Sequence, residues 1–180
     1  MLTIPPLETF GPRICVFGPS NAGKSTLTVA LAAKTGARPV HLDQYRFLPD
    51  TDWQERPDDE FAQLHDEAIA GESWIIDGGY SSLLPGRLQR ATGLLLLGDN
   101  RWSNLRRYFY RTLLQRNRAG NLAGNKDSIK WEMLRWIMVG GPQSLARYEA
   151  KLPAIGLPFH YARSMHEVNR LYETWGLPRP

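Results

Sequence analysis

Short apolar runs and amphipathic stretches alternate along this chain, and the alternation predicts its elements. Ile14-Cys15-Val16-Phe17 is a continuous apolar run, the pattern of a strand covered on both faces, and Leu94-Leu95-Leu96-Leu97 repeats it. Pro39-Val40-His41-Leu42 and Ser73-Trp74-Ile75-Ile76-Asp77 read as two more strands, and Leu157 to Ala162 as a fifth. Leu27 to Lys34 is rich in helix formers and stops before Gly36, a suitable C-cap. A second helix, from about Pro57 to Ala70, carries Asp58, Asp59 and Glu60 at its positive end and sets Phe61, Leu64, Ala68 and Ile69 on one face. Helical patterns follow through Trp102 to Arg118, Ser128 to Val139 and Pro142 to Lys151, with a last helix from about Ser164 to Trp175. Five strands alternating with helices imply an α/β fold: a five-stranded parallel sheet in a three-layer αβα sandwich, one domain over residues 1–180. Ligands of such sheets collect at the carboxyl ends of the strands.

At the first of those ends stands the pattern G-x-x-x-x-G-K-[ST]: Gly18, Pro19, Ser20, Asn21, Ala22, Gly23, Lys24 and Ser25, followed by Thr26. Set between a buried strand and a helix, such a loop turns its N–H groups around phosphate oxygens, with the helix N-terminus adding positive charge. Lys24 is then aimed at the β- and γ-phosphates, and the Ser25 hydroxyl at Mg²⁺. The pattern marks a P-loop NTPase fold and predicts binding of a nucleoside triphosphate.

Composition adds limits. The 180 residues carry a net charge of +4, and 17 of the 22 basic residues are arginine. Arginine suits phosphate, but no basic run of five residues occurs, so a nucleic-acid partner is not expected. No apolar stretch reaches the length of a membrane span, and the first dozen residues lack a basic start followed by an apolar run, so a cytoplasmic location is expected. The single cysteine, Cys15, falls within the first strand and reads as a small core residue.

Acids mark the other strand ends: Asp43 after the second, Asp77-Gly78-Gly79 after the third, Asp99 after the fourth. Beside a triphosphate, Asp43 or Asp77 can hold Mg²⁺, through water or directly, or take a proton from an attacking hydroxyl. Asp also forms turns at any strand end, which is the plainer reading of each alone. In the helix after the fourth strand, Trp102, Leu105, Phe109 and Leu113 recur at helical spacing and predict a buried stripe. Arg107, Arg111 and Arg118 then fall on the opposite side, either as a solvated face or as a clamp on triphosphate charge. Residues 117–127, polar and glycine-bearing, read as a loop able to close over a nucleotide, a small lid around 112–127. Trp131, Met133, Trp136, Ile137 and Met138 surround one helix axis and read as core, with a partner or homodimer surface as the alternative.

The chain resembles the adenylate-kinase-like small P-loop kinases and, within them, the bacterial DNA topology modulation (FlaR-like) proteins. The segments that carry the resemblance are GPSNAGKST, HLDQYRF from His41, WIIDGGY from Trp74 and RWSNLRRYFYR from Arg101, with ARSMHEVNRLYETW near the end. The resemblance implies strand order 2-3-1-4-5 and ATP as phosphoryl donor. It implies an acid facing Mg²⁺ or the acceptor, matching Asp43 and Asp77, and lid-helix arginines matching Arg107 and Arg111. It also implies a loop bordering adenine at Arg163 and Ser164. The chain departs from the family at Leu97-Gly98-Asp99-Asn100, where many relatives have a Leu-Asp-Phe-Pro-like segment, and no role passes to Asp99. Asp77-Gly78-Gly79-Tyr80 runs into Ser81-Ser82, so the AMP signature is incomplete and AMP is not implied as acceptor. The expectation is a Mg²⁺- and ATP-dependent kinase for a small molecule, nucleotide or nucleoside among the candidates. The alternative is a nucleotide-binding ATPase that regulates DNA topology or a protein partner.

Overall fold

The computed structural model describes residues 3–51, 53–114 and 131–179. Five parallel strands form one sheet: β1 (Arg13–Phe17), β2 (Arg38–His41), β3 (Trp74–Asp77), β4 (Gly93–Leu97) and β5 (Phe159–Ala162). Their spatial order is β2-β3-β1-β4-β5, the order the family resemblance implies. The apolar runs are continuous because both faces are covered. Alternate residues point to opposite sides, so Ile14 and Val16 join one core cluster while Cys15 and Phe17 join the other.

One face packs against α1 (Lys24–Thr35) and α8 (Met165–Thr174). There Leu27, Leu31, Val168 and Leu171 bury against Ile75, Leu95 and Leu97. Truncating one of these leucines to Ala costs about 2–5 kcal/mol. On the other face lie α3 (Asp58–Ile69), α4 (Leu84–Arg90) and α7 (Gly141–Lys151), with Phe61, Ile69, Leu88 and Tyr148 packed over Phe17, Ile76 and Leu96. Burial pushes the Cys15 thiol up to about 12 against the opposing pull of Arg87, so it behaves as an inert core residue.

Several elements differ from the sequence pattern. β2 ends at His41, and Leu42 opens a short helix, α2 (Leu42–Arg46), so Asp43 lies in a helix turn rather than closing the strand. The helix α4 carries no clear periodic signal, since Pro85 and Gly86 stand in its first turn. The chain after residue 130 is α6 (Trp131–Arg135), a π-helical turn over Trp136–Gly140, and then α7. Trp131 and Trp136 are exposed there while Ile137 is buried, which corrects the expectation that this aromatic group is core.

The largest correction concerns α5 (Arg101–Leu114). Of its expected inner stripe, Trp102 and Leu113 are 60% and 67% exposed, while Leu105 and Phe109 are half-buried. Asn104 and Tyr108 are buried instead. The helix turns its polar side inward because that side meets the phosphate loop, where Asn104 and Arg107 find hydrogen-bond partners. Among the described residues, no helix is long and apolar enough to cross a membrane.

Candidate active site

The phosphate loop lies between β1 and α1, where the sheet directs the ends of β1, β3 and β4 toward one edge. Gly18 has φ of +143°, and a Cβ there would sit 2.3 Å from the Leu97 carbonyl oxygen at the end of β4. Only glycine allows that approach. Asn21 takes a left-handed conformation, φ 64°, that few side chains accept without cause. Both ends of its buried amide lack a hydrogen-bond partner. An unpartnered amide N–H beside a turn of backbone N–H groups suits an anion that brings acceptors. Lys24 donates to the Pro19 carbonyl at 2.8 Å, so its ammonium lies across its own loop.

Asp77 closes β3 beside this loop and is buried. Its Oδ1 accepts from the Ser25 hydroxyl at 3.4 Å, and its Oδ2 lies 2.6 Å from His41 Nδ1 at the end of β2. The parallel register pairs His41 directly with Asp77, so backbone geometry brings these side chains together. Asp43, two residues further along, is exposed and accepts from the Tyr80 hydroxyl at 2.7 Å. Burial and the neighbouring Asp43 carboxylate push the Tyr80 phenol far up, so it stays a neutral donor. The two acids thus have different surroundings: Asp77 is inside with Ser25, Asp43 outside with Tyr80.

Arg107 reaches the same loop from α5. Its Nε donates to the Asn21 carbonyl at 2.7 Å, and its Nη2 to Asp99 Oδ2 at 2.5 Å and Asn104 Oδ1 at 2.6 Å. It is therefore no solvated-face arginine. Asp99, assigned no role by the sequence, holds this guanidinium over the loop. A cleft of about 350 Å³ opens beside it, lined by Pro19, Asp99, Asn100, Asn104, Pro142 and Leu145. Arg111 follows one turn later in α5; Arg118 and residues 115–127 of the expected lid lie outside the described residues.

Arg163 and Ser164 lead into α8. The Arg163 guanidinium stands 4.7 Å from the centre of the Tyr161 ring, while the Ser164 hydroxyl caps the helix by accepting from the Glu167 amide. Ser164 thus has a structural use of its own. A Cβ on Gly23 would lie 3.8 Å from Met165 Cε, so the start of α8 adjoins the phosphate loop.

Sequence patterning gives no sign of Arg87. It is fully buried in α4, donates to the carbonyls of Gly78 at 2.9 Å and Tyr80 at 3.3 Å, and also reaches that of Gly79. Burial pulls its pKa down from the usual value. The guanidinium fixes the turn after Asp77, where Gly78 has φ of +122° and a Cβ would press to 2.8 Å from that of Leu42. Arg87→Leu should destabilise the protein by about 3 kcal/mol, because these carbonyls would lose their donors inside the core. A denaturant midpoint close to that of the parent would refute that role.

The fold has counterparts among known structures. A shikimate kinase from Bacteroides thetaiotaomicron superposes with TM-score 0.52 at 19% identity, over 92% of this chain and 99% of its own. A deoxyadenosine kinase from M. mycoides with bound dATP gives 0.51 at 14% identity, over 91% and 99%. A sugar kinase from Janibacter sp. gives 0.51 at 17%, over 90% and 92%. At these identities the likeness is one of fold, the fold of small P-loop kinases. No protein-family model matches the chain, and no curated protein matches it in sequence.

Proposed function

We propose that the protein is an ATP-dependent phosphotransferase that moves the γ-phosphoryl group to a hydroxyl of a small molecule in the cytoplasm. The observation that carries this reading is the pair of differently held acids beside one phosphate loop: Asp77 against Ser25 and Asp43 outside it with Tyr80. A mere nucleotide holder needs the first acid only. The kinases that share the fold support the same reading. The motif WIIDGGY and the arginine pattern of α5 favour kinship with the DNA topology modulation proteins.

In this mechanism residues 18–26 and Lys24 hold the phosphates, and Arg163 with Ser164 borders the base. Ser25 Oγ together with Asp77 would hold Mg²⁺, which supplies neutralisation of phosphate charge when bound. His41 orients Asp77. Asp43 takes the acceptor proton as the acceptor oxygen bonds to the γ-phosphorus and the bond to the bridging oxygen breaks, releasing ADP. Arg107 and Arg111 from α5, with Arg118 from the lid around 112–127, meet charge on the transferring group.

A screen with labelled ATP against nucleosides, nucleotides and small metabolites tests the reading, and the product names the acceptor. Asp43→Asn should lower kcat by about 10²-fold or more with nucleotide affinity little changed. Asp77→Asn should raise the Mg²⁺ concentration needed for half-maximal rate. Unchanged kinetics in both variants would reduce the two acids to turn formers.

One observation favours a second reading, in which ATP state controls a protein or DNA partner or a second copy of the chain. Trp102, Trp131, Trp136 and Val139 are exposed around the lid helices. Phosphate release that rises only with such a partner, and with no small acceptor, would select it.

A further inference from the structure

The acceptor side of Asp43 is built from the segment that follows β2 and from the turn after β3. Tyr80, bonded to Asp43, stands edge-on to the Phe61 ring at 4.9 Å, and the Arg46 guanidinium lies 5.4 Å from the centre of that same ring. An arginine anchors a phosphate or carboxylate best through two parallel hydrogen bonds from its planar fork. Arg46 has already spent that fork. Its Nη1 binds Asp58 at 2.5 Å and the Arg56 carbonyl at 3.2 Å, and its Nη2 binds Glu55.

The neighbouring arginines are taken in the same way. Arg56 donates to the Tyr45 carbonyl at 3.0 Å and pairs with Glu60 at 3.5 Å. Arg38 donates to the Tyr45 hydroxyl at 2.9 Å. Arg87 is sealed in the core on the carbonyls of residues 78–80. Around the exposed Asp43 the described side chains therefore present a carboxylate and the Tyr80 phenol, with each of these four guanidiniums engaged by protein oxygen. An anionic acceptor would meet like charge at Asp43, and would have to compete with the surface carboxylates Glu55 and Asp58 for Arg46.

We infer that the acceptor is an alcohol without an anionic group, neutral or amine-bearing, whose hydroxyls are bound by Asp43 beside the Tyr80 phenol. The inference rests on the phosphotransferase reading and narrows its substrate class. Neighbouring hydroxyls or an ammonium can donate to Asp43, whereas a phosphate cannot.

The test is a set of matched acceptors offered with labelled ATP and Mg²⁺: adenosine with AMP, ribose with ribose 5-phosphate, and glucosamine with glucosamine 6-phosphate. The uncharged or amine-bearing member of each accepting pair should show a kcat/KM about 100-fold above its phosphorylated partner. Equal or higher values for the phosphorylated members would overturn the acceptor class, whichever residues then supply the binding cations. The double variant Glu55→Gln, Asp58→Asn strips Arg46 of both carboxylates, and thermal melting checks that it remains folded. It should shift the preference toward the phosphorylated member by about tenfold. An unchanged preference in the folded variant would overturn the assignment to Arg46. Absence of label in these pairs and throughout the broader screen, while ATP binding is retained, would remove the kinase reading itself, a result distinct from label in the anionic members.

Discussion

Lys24→Ala is expected to lower ATP turnover by about 10²- to 10³-fold while leaving the protein folded. The side chain stands first in α1, and its ammonium lies on the Pro19 carbonyl, within the loop that the nucleotide would occupy. On the proposed reading a bound triphosphate exchanges that carbonyl for β- and γ-oxygens, so the ammonium does most where charge moves between them. Alanine keeps the helix, since it is the best helix former, and gives up one loop hydrogen bond worth about 1 kcal/mol. Single-turnover phosphoryl transfer, nucleotide affinity and a thermal melt separate the effects. Wild-type turnover in the folded variant would remove the phosphate loop from the chemistry.

The sheet was readable because a strand buried on both faces writes itself as an unbroken apolar run, as at 14–17 and 94–97. Short elements were harder. In α4, Pro85 and Gly86 weaken every local signal, and the helix is held by Arg87 and by Leu84 and Leu88 packed on the sheet, none of which a local window can see. Helical periodicity in α5 gave the axis and missed the direction. Its apolar stripe looked like the inner face, yet the helix meets the polar phosphate loop there, so Asn104 and Arg107 turn inward and Trp102 turns out.

Within the candidate site, the loop from Gly18 to Thr26 is contiguous and so was legible as a word. The rule that places ligands at strand ends pointed to both acids, but of the two only Asp77 ends a strand, while Asp43 lies in α2 two residues past β2. Their different surroundings did not follow. The links from Asp77 to Ser25 and from Asp43 to Tyr80 span 52 and 37 residues, and each depends on strand neighbours that sequence order conceals. Asp99 was named as a strand-end acid, but its shifted position gave it no role, and its pairing with Arg107, itself already singled out, was not legible.

Arg107→Ala should lower kcat by about 10²- to 10³-fold and raise the KM for ATP much less, since charge on a transferring phosphoryl group is greatest in the transition state. The structure sharpens this expectation. A solvated arginine could be lost for a few tenths of a kcal/mol, but Arg107 joins Asn21 of the loop to Asp99 and Asn104. Its removal also leaves a mostly buried Asp99 without its cation, so some stability, about 1–2 kcal/mol, should go with the activity. Asp99→Asn distinguishes the two losses. It spares the guanidinium but loosens its hold, so kcat should fall less than in Arg107→Ala. Arg107→Lys keeps a point charge without the planar fork that spans Asn21 and Asp99, and should rescue only part of the rate. If Arg107→Ala melts earlier but turns over ATP like the parent, the arginine is a brace for the loop and α5 carries no catalytic charge at that position.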